Sequence, residues 1–415
     1  MPSWGLIGLL LLLLVKDAAF SDDCGALWVS LTVSPLVTTN PPRSLHVSWG
    51  NADPLPGDWV GLLNDSSALQ SPLSSTEVVE SSGVLDTRLQ APVLDSSSLP
   101  FTRQCLGYWA VYVRNNSTVL NSTCLGTQPT WMEEMKDEIS SKKMWELFLP
   151  GTHDSGSYKL YRPKATETLV VKYSINQEDD VLTQLVLGVR YIDLRVGYYS
   201  STEELWWVNH GVARMRPLSK LLDSVRVFLN NTREIVILDV QEFPIGFSSW
   251  NLTHSKLVQY LQSQLEYLLA SPALGWNATL GELWSHGNRL ILSYDVEEVV
   301  KNTSILWQSV QQKWGDQRSM DGLYTYLDGV SLTPPSGRPT AAMAQLTPNA
   351  WGVLTDQFGG LRAMAATVSH NISQNYRNAW GRHANVVAVD FLLSTSIVDV
   401  ALMWNRRRTR NITCT

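Results

Sequence analysis

The chain has 415 residues, of which 44% are hydrophobic and 17% charged, and its formal net charge at pH 7 is −6. This length is greater than one ordinary domain needs and predicts two. The acidic balance and the lack of a basic stripe interleaved with aromatic residues argue against a nucleic-acid-binding protein, so we expect no nucleic-acid partner.

The first predicted element is a secretory signal peptide over residues 1–21. The aliphatic run from Leu6 to Val15 is followed by small residues at Ala19 and Ser21, a pattern typical of a cleaved leader. The run is about half as long as the roughly 20 residues that a membrane-spanning helix needs. The C-terminal residues also lack the hydrophobic tail of a lipid-anchor signal. The sequence therefore predicts a soluble protein that is secreted to the extracellular space.

Asn-x-Ser/Thr sequons agree with export. One sequon is weak evidence, but ten in one chain predict that several carry glycans. Such sugars supply part of the surface polarity, since charged residues are scarcer than the roughly 25% of an average soluble domain. The predicted glycosylation sites are Asn64, Asn115, Asn116, Asn121, Asn230, Asn251, Asn277, Asn302, Asn371 and Asn411.

The cysteines also suit an oxidising compartment. The four are Cys24, Cys105, Cys124 and Cys414, and the sequence does not choose among their three possible pairings. Because three of the four precede residue 125, at least one disulfide must involve the N-terminal region. A zinc site is not expected, since no two cysteines lie two to four residues apart.

Short β-type runs separated by turn residues fill residues 22–127 and predict a small β-sandwich domain. The last run alternates cleanly, with Tyr108, Ala110 and Tyr112 sharing one face. The predicted strands are Leu27 to Val33, Leu45 to Trp49, Trp59 to Leu63 and Tyr108 to Val113.

In residues 128–415 the pattern changes to β/α alternation, which predicts an α/β fold, a TIM-like (β/α) barrel. Some crossovers lack a convincing helix, so an irregular or incomplete barrel fits equally well. Amphipathic helices are predicted over Leu218 to Leu229 and Leu257 to Leu269. The eight predicted parallel strands are Trp145 to Leu149, Val189 to Val196, Leu205 to His210, Ile235 to Val240, Leu290 to Tyr294, Gly329 to Leu332, Gly352 to Leu354 and Val386 to Leu392.

The first barrel strand ends in a His-Asp pair set between glycines, in the segment LPGTHDSGSY from Leu149 to Tyr158. A strand that ends on a titratable side chain inside a Gly-rich turn is typical of how a barrel enzyme presents a catalytic group. His153 suits a general base because imidazole titrates near neutral pH. A structural histidine bonded to a loop carbonyl is the alternative.

The second strand carries a carboxylate and a guanidinium on one face. Strand periodicity places Val189, Tyr191, Asp193 and Arg195 together. Charged groups that face a barrel interior are costly unless they are paired or functional. We therefore expect either a binding role or a structural ion pair at the barrel mouth.

Two further strands carry candidate residues at their ends. His210 ends the third strand, and Asp390 shares a face with Val386 and Ala388 on the last strand. The first and last strands of a closed barrel are neighbours, so we expect Asp390 to reach His153 and fix its tautomer.

The LPGTHDSGSY segment resembles the opening motif of the X region in phosphatidylinositol-specific phospholipases C. Over about residues 140–400 the chain is similar, in motif content and order, to the secreted, metal-independent enzymes and to eukaryotic X-domain-containing proteins. The N-terminal domain lies outside the resemblance. The resemblance implies a phosphodiesterase that cleaves phosphatidylinositol or glycosylphosphatidylinositol lipids at a membrane surface. Its products are diacylglycerol and a cyclic inositol phosphate, and it needs no cofactor.

The resemblance also implies roles at the matching positions. His153 is the expected general base, Asp390 the carboxylate that orients it, Arg195 the phosphate clamp and His210 the general acid. The base takes the proton of the inositol 2-hydroxyl, which attacks phosphorus, and the acid protonates the leaving oxygen. The carboxylates expected to position the clamp and assist the acid are Asp154 and Asp193.

Two positions depart from the patterns of relatives. Calcium-dependent relatives are expected to have carboxylates where this chain has Arg195 and Gln241, so the oxygen cage for calcium is missing and the guanidinium takes the role of the cation. Secreted bacterial relatives have a lysine at the position of Gln241, and its absence leaves the headgroup specificity open. The predicted substrate-binding residues are Arg195, Gln241 and Tyr294, and no metal ligand is predicted.

The segment from Phe243 to Trp250 follows the fourth strand and is either a lipid-contacting loop or a packing loop. A glycan on the adjacent Asn251 favours the packing loop.

Two other functions stay open. One is metal-dependent hydrolysis of glycerophosphodiesters or sphingolipids on a related barrel, which requires carboxylates where Arg195 and Gln241 stand. The other is a secreted, non-catalytic protein that binds lipid or glycan, because a fold does not guarantee an activity. The sequence indicates no oligomeric state.

Overall fold

The computed structural model describes residues 24–37, 42–158, 168–248 and 250–412, and the side chains of residues 250 and 251 are not described. The predicted signal peptide and Cys414 lie outside these ranges. Among the described residues, no helix combines the length and the apolar character needed to cross a membrane.

The N-terminal region forms two antiparallel sheets. Their orders are β1-β2-β5 and β4-β3-β6-β7. Residues from both sheets, such as Leu31 and Val47 from the first and Val60 and Tyr112 from the second, belong to one buried cluster. The strands are β1 (Trp28–Val33), β2 (Ser44–Gly50), β3 (Trp59–Leu63), β4 (Ser74–Glu77), β5 (Gly83–Gln90), β6 (Cys105–Arg114) and β7 (Thr118–Gly126). The division of the chain into a sandwich domain over 22–127 and a barrel domain over 128–415 stays a prediction.

A disulfide joins Cys105 on β6 to Cys124 on β7. This bridge confirms the expectation that the N-terminal region holds at least one disulfide. Cys24 is disulfide-bonded as well.

The C-terminal region alternates strands and helices. The strands are β8 (Leu149–Thr152), β9 (Tyr191–Tyr198), β10 (Trp206–His210), β11 (Ala213–Pro217), β12 (Val236–Glu242), β13 (Leu290–Tyr294), β14 (Trp307–Gln308), β15 (Gln311–Lys313), β16 (Thr340–Met343) and β17 (Val386–Val389). The helices are α1 (Trp131–Glu134), α2 (Lys136–Ile139), α3 (Leu169–Lys172), α4 (Val181–Val186), α5 (Leu218–Asn231), α6 (Trp250–Leu265), α7 (Leu280–His286), α8 (Glu297–Lys301), α9 (Met320–Ser331), α10 (Ala350–Leu354), α11 (Leu361–Asn378) and α12 (Ile397–Thr409).

The parallel strands form a curled sheet in the order β14-β13-β12-β9-β8-β17-β16-β15. Only Ser309 and Val310 separate β14 from β15, so one segment pairs with β13 at its start and with β16 at its end. The curled parallel sheet confirms the TIM-like fold in an irregular form. The first and last strands, β8 and β17, are paired as predicted.

Side chains on these strands alternate between the barrel interior and the surrounding helices. On β16, Ala341 and Met343 belong to the interior cluster, whereas Ala342 and Ala344 belong to the cluster that contains the helix faces. The interior cluster also includes Leu149, Tyr191, Ile237, Ile291 and Val386. Apolar side chains thus fill the barrel, and residues further along the same strand faces reach its C-terminal mouth.

Four predicted strands need correction. Trp145 to Leu149 starts within a 3-10 turn over Met144–Glu146, and the strand β8 begins only at Leu149. Gly329 to Leu332 lies mostly in α9 and Gly352 to Leu354 lies in α10, because periodicity cannot distinguish a short apolar run in a strand from one in a helix. Leu205 to His210 does contain a strand, but β10 pairs antiparallel with β9 and forms a hairpin with β11. The strand over residues 340–343 was missed, since a run of small residues carries little β signal.

Candidate active site

The His-Asp turn that follows β8 is held by backbone hydrogen bonds. The amide of His153 donates to the carbonyl of Val389 at 3.1 Å, which continues the β8–β17 ladder. Asp154 has a φ of 43°, in the left-handed region that Asp tolerates better than most residues. Its amide donates to Oδ2 of Asp193 on β9 at 2.9 Å. The turn therefore points both side chains of the motif into the mouth.

His153 lies between an anion and a cation. Its Nδ1 is 2.9 Å from Oδ1 of Asp390, and its Nε2 is 2.9 Å from Nη2 of Arg195. A carboxylate only accepts hydrogen bonds and a guanidinium only donates them. The imidazole is therefore neutral in this arrangement, with its proton on Nδ1 and its lone pair on Nε2.

Two opposing effects set the pKa of His153. Burial lowers it, but the charge of Asp390 and the hydrogen bond to that carboxylate outweigh burial, so the pKa is raised. Asn176 supports the pair because its Nδ2 donates to Oδ1 of Asp390 at 3.1 Å. The imidazole is thus held as a stronger base than an exposed histidine, and the contact with Arg195 covers its basic nitrogen.

Arg195 is the positive centre of the cluster. Its Nε lies 2.8 Å from Oδ1 of Asp154, and its Nη1 lies 3.3 Å from Oε1 of Glu242. Burial lowers the pKa of Arg195, but these carboxylates and Asp193 raise it overall, so the guanidinium keeps its charge. The carboxylates also fix its plane, which leaves Nη2 directed at His153.

Asp154 and His210 form a second titratable pair. Nε2 of His210 lies 3.3 Å from Oδ2 of Asp154, and the same oxygen lies 3.8 Å from Nε2 of His153. Burial raises the pKa of Asp154 to about 6. Burial, together with the charge of Arg195, lowers the pKa of His210 to about 3. Near neutral pH His210 is therefore neutral, and the carboxyl of Asp154 can hold or release a proton.

A layer of buried polar groups lies beneath these residues. Asp239 on β12 accepts hydrogen bonds from the Tyr191 hydroxyl at 2.8 Å and from Nε2 of Gln241 at 2.6 Å. Burial raises the pKa of Asp239 to about 7. Nε2 of Gln312 donates to Oδ1 of Asp193 at 3.0 Å. This layer holds the inward carboxylates in place.

The structure brings most of the predicted site residues together. Those that meet at the mouth are His153, Asp154, Asp193, Arg195, His210 and Asp390. Gln241 lies beside them, with its amide nitrogen shared between Asp239 and the carbonyl of Val310. Whether each of these residues has the predicted role stays a prediction.

Tyr294 requires a correction. Its side chain is buried on the outer face of β13, and its hydroxyl is 2.6 Å from Nδ1 of His254. The ring also packs against Phe243, and His254 packs against Phe247. Strand alternation explains the placement, because the inward residue at this end of β13 is Ser293, which donates to Asp239. Phe243 and Phe247 are thus part of a packing loop.

Glu242 was not predicted as a site residue, yet its Oε1 lies 3.3 Å from Nη1 of Arg195. Strict alternation from Asp239 and Gln241 places Glu242 on the outer face. The register between β12 and β9 shifts at this point, so that Glu242 pairs with Arg195. A β-bulge redirects side chains in this way and carries no clear sequence signal.

Several segments that follow strands of the C-terminal region carry exposed apolar side chains. Val170, Val212, Trp314, Trp351 and Leu354 are all more than half exposed. Val170, Trp314, Trp351 and Leu354 follow the parallel strands β8, β15 and β16, and Val212 lies in the turn between β10 and β11. We call these five residues the apolar rim.

Within the described ranges, no group of three or more histidine, cysteine or acidic side chains is arranged to hold a metal ion. The positive charge at the centre of the carboxylates belongs to Arg195.

In sequence, the chain is similar to PI-PLC X domain-containing proteins of vertebrates. The human PI-PLC X domain-containing protein 1 is 26% identical over 310 residues, which cover 68% of this chain and 94% of that protein. The Danio rerio protein of the same name is 25% identical over 291 residues, 63% of this chain and 91% of that protein. No model of a protein family matches the chain.

A solved structure of phosphatidylinositol-specific phospholipase C from Staphylococcus aureus has the same fold. It superposes with a TM-score of 0.51 and 17% sequence identity, over 66% of this chain and 97% of that chain. These findings confirm the resemblance that the LPGTHDSGSY motif indicated. The chain is a homologue of the PI-PLC X domain-containing proteins, with a barrel of the phosphatidylinositol-specific phospholipase C fold.

Proposed function

We propose that this protein cleaves phosphatidylinositol or glycosylphosphatidylinositol lipids by general acid–base catalysis without a metal ion. The observation that carries the proposal is the placement of His153 between Asp390 and Arg195, together with Asp154, which contacts the same guanidinium and lies 3.3 Å from His210. A base, a cation and an acid then surround one point at the barrel mouth, which is the set that phosphodiester cleavage requires.

The first half of the reaction uses His153. The phosphate engages Arg195, and this releases Nε2 of His153. Nε2 takes the proton of the inositol 2-hydroxyl, and the oxygen attacks phosphorus to form the cyclic phosphodiester bond. Asp390 stabilises the imidazolium that results, and Arg195 stabilises the negative charge on the phosphoryl oxygens.

The second half uses Asp154 and His210. The bond between phosphorus and the glycerol oxygen breaks, and that oxygen takes a proton from the Asp154–His210 pair. The products are diacylglycerol and a cyclic inositol phosphate. The raised pKa of Asp154, caused by burial, supports its part as a proton donor at mildly acidic to neutral pH.

The metal-independent form of the proposal rests on Arg195. A guanidinium held by Asp154 and Glu242 supplies a fixed positive charge of the kind that binds phosphate with directed hydrogen bonds. This placement disfavours a metal-dependent glycerophosphodiesterase.

The same proposal includes a membrane lipid as the partner and the extracellular space as the location of the protein. We place the apolar rim at the lipid surface, since large exposed apolar side chains are typical of a surface that meets a membrane. The disulfide between Cys105 and Cys124 suits a secreted protein. Several predicted glycosylation sites, including Asn64, Asn116 and Asn277, are exposed.

A non-catalytic lipid-binding protein is the second candidate. The observation in its favour is that Arg195 occupies the lone pair of His153, so the base is covered in this arrangement. Such a protein recognises the phosphate through Arg195 and releases no product.

The test is an assay of the purified secreted protein with phosphatidylinositol vesicles in the presence of a chelator, with cyclic inositol phosphate measured by phosphorus NMR. We expect turnover by the wild type and by the control His286→Ala, which changes an exposed histidine on α7. We expect His153→Ala and His210→Ala to lose it. No turnover by the wild type favours the non-catalytic candidate, and equal turnover by the His153 variant contradicts the mechanism.

A further inference from the structure

Gln345 holds a buried amide that the protein leaves unpaired. Its side chain is 4% exposed, and neither Nε2 nor Oε1 has a hydrogen-bond partner among the described residues. By contrast, the inward side chain of Gln312 is hydrogen-bonded, since its Nε2 donates to Tyr191 and Asp193. Burial of an amide without partners is unfavourable. The missing hydrogen bonds of this buried amide indicate that a bound ligand supplies them.

The strand pattern directs Gln345 to the mouth. The ladder continues past β16, because the amide of Ala344 donates to the carbonyl of Ala388 at 2.9 Å. Ala344 and Leu346 belong to the outer cluster and Met343 to the interior cluster, so alternation turns Gln345 inward.

The neighbouring strand shows what lies beside Gln345. Met343 pairs with Ala388 in parallel register, so the residue two positions further on is level with Asp390. Adjacent strands are about 4.8 Å apart. Gln345 is therefore the inward side chain beside Asp390, the residue whose carboxylate bonds His153.

We infer that Gln345 binds hydroxyl groups of a polyol headgroup and makes the site selective for such headgroups. A carboxamide presents an N–H donor and an oxygen acceptor side by side. One hydroxyl of a vicinal diol can accept a hydrogen bond from the amide nitrogen while the neighbouring hydroxyl donates one to the amide oxygen. An inositol ring bound at the mouth pairs the amide, whereas a headgroup without hydroxyls leaves it unpaired. A site built to bond a hydroxyl rejects ligands that lack it. The inference rests on the proposed function, and it names Gln345 as the residue that selects the headgroup of the substrate.

The first test separates a binding role from a structural one. Gln345→Met keeps the length of the side chain and removes its polar atoms. We expect its melting temperature to equal or exceed that of the wild type, because no internal hydrogen bond is lost. We expect its affinity for myo-inositol, measured by calorimetry, to fall about tenfold. Gln312→Met, which breaks real bonds, is expected to lower the melting temperature. Gln70→Met, at an exposed position in the N-terminal region, is expected to change neither the melting temperature nor the affinity for myo-inositol.

The second test identifies the hydroxyl. Wild-type protein is compared with Gln345→Met on a series of monodeoxy-inositols. We expect one or two of these ligands to bind the wild type more weakly than myo-inositol does and to bind the variant as well as myo-inositol does.

The outcomes distinguish a failure of the role of Gln345 from a failure of the proposed function. If the wild type binds myo-inositol and the variant binds it equally, or if the variant melts at a lower temperature, the role of Gln345 is overturned and the proposed function stands. If the wild type neither binds myo-inositol nor cleaves phosphatidylinositol, both are overturned.

Discussion

Arg195 donates a hydrogen bond from Nη2 to Nε2 of His153 across 2.9 Å, and this contact places a permanent cation on the lone pair that a general base must use. A protonated imidazole cannot accept that bond. Any anion that draws Arg195 away therefore frees the base and at the same time neutralises its cationic neighbour. In the proposed mechanism, this one contact couples the capture of phosphate to the activation of His153.

Arg195→Lys tests that coupling. A lysine keeps the charge but cannot reach Asp154, Glu242 and His153 from one rigid plane. We expect turnover of phosphatidylinositol to fall by about 100-fold, in the range seen when one directed donor to a developing charge is removed. The measurement is a steady-state assay beside Lys220→Arg, a conservative change on the distant helix α5. Turnover within about twofold of the wild type would contradict a directed clamp.

Asp390→Asn tests the pKa of His153. The change removes the charge and the ionic hydrogen bond that raise this pKa, so burial then lowers it. A base works when deprotonated, so activity rises as the pH passes its pKa from below. We therefore expect the acid limb of the kcat/KM profile to move to lower pH, with a loss of activity of roughly 100-fold or more because the tautomer is no longer fixed.

The control for that profile is Asp86→Asn, an exposed carboxylate beside His46 in the N-terminal region. It should leave the acid limb in place. An acid limb that moves to higher pH in Asp390→Asn would show that another group sets it.

Asp239 should make stability depend on pH. Burial raises its pKa to about 7 in the folded protein, whereas its ordinary value is 3.8. The folded state thus holds a proton that the unfolded state releases, and this contribution is complete below about pH 4 and is lost as the pH rises to about 7. Relative to Asp239→Asn, the wild type should lose about 1.4 kcal/mol of unfolding free energy per pH unit across this range. Urea unfolding at several pH values measures it, and a difference independent of pH would contradict it.

Arg190 and Glu234 form a fully buried ion pair at 2.6 Å on the barrel side away from the mouth. The guanidinium also donates to the carbonyls of Gln128 and Pro129, at the start of the barrel region. Arg190→Met leaves the carboxylate of Glu234 buried without its cation, so we expect a loss of about 3–5 kcal/mol in unfolding free energy. The double variant with Glu234→Met should recover part of the loss. Equal stabilities of the single and double variants would contradict an uncompensated buried charge.

The apolar rim should control contact with lipid. Trp351→Ala together with Leu354→Ala removes two large exposed side chains next to β16. We expect binding to phosphatidylinositol vesicles in a sedimentation assay to weaken about tenfold or more, while the affinity for myo-inositol stays unchanged. Leu332→Ala is the matched control, since Leu332 is equally exposed but follows the far end of α9. A similar loss for both changes would show that the rim is not the contact surface.

Local patterns predicted much of this protein. Period-two alternation placed Tyr191, Asp193 and Arg195 on one face, and the glycine-rich turn marked His153 and Asp154 as strand-end groups. The pairing of the first and last strands followed from barrel closure alone, and it brought Asp390 to His153.

Other features depended on contacts between distant strands. The side of a strand that faces the barrel axis is set by its register with its neighbours, so one bulge turned Glu242 to Arg195, and alternation on β13 turned Tyr294 away. Asn176 reached Asp390 from a loop more than 200 residues away in sequence. By itself the sequence determined which side chains end the strands. Only the tertiary structure decided which of them meet at one point in space. Alternation along a strand is a local property, whereas the side of the strand that points to the barrel axis depends on the register of the whole sheet.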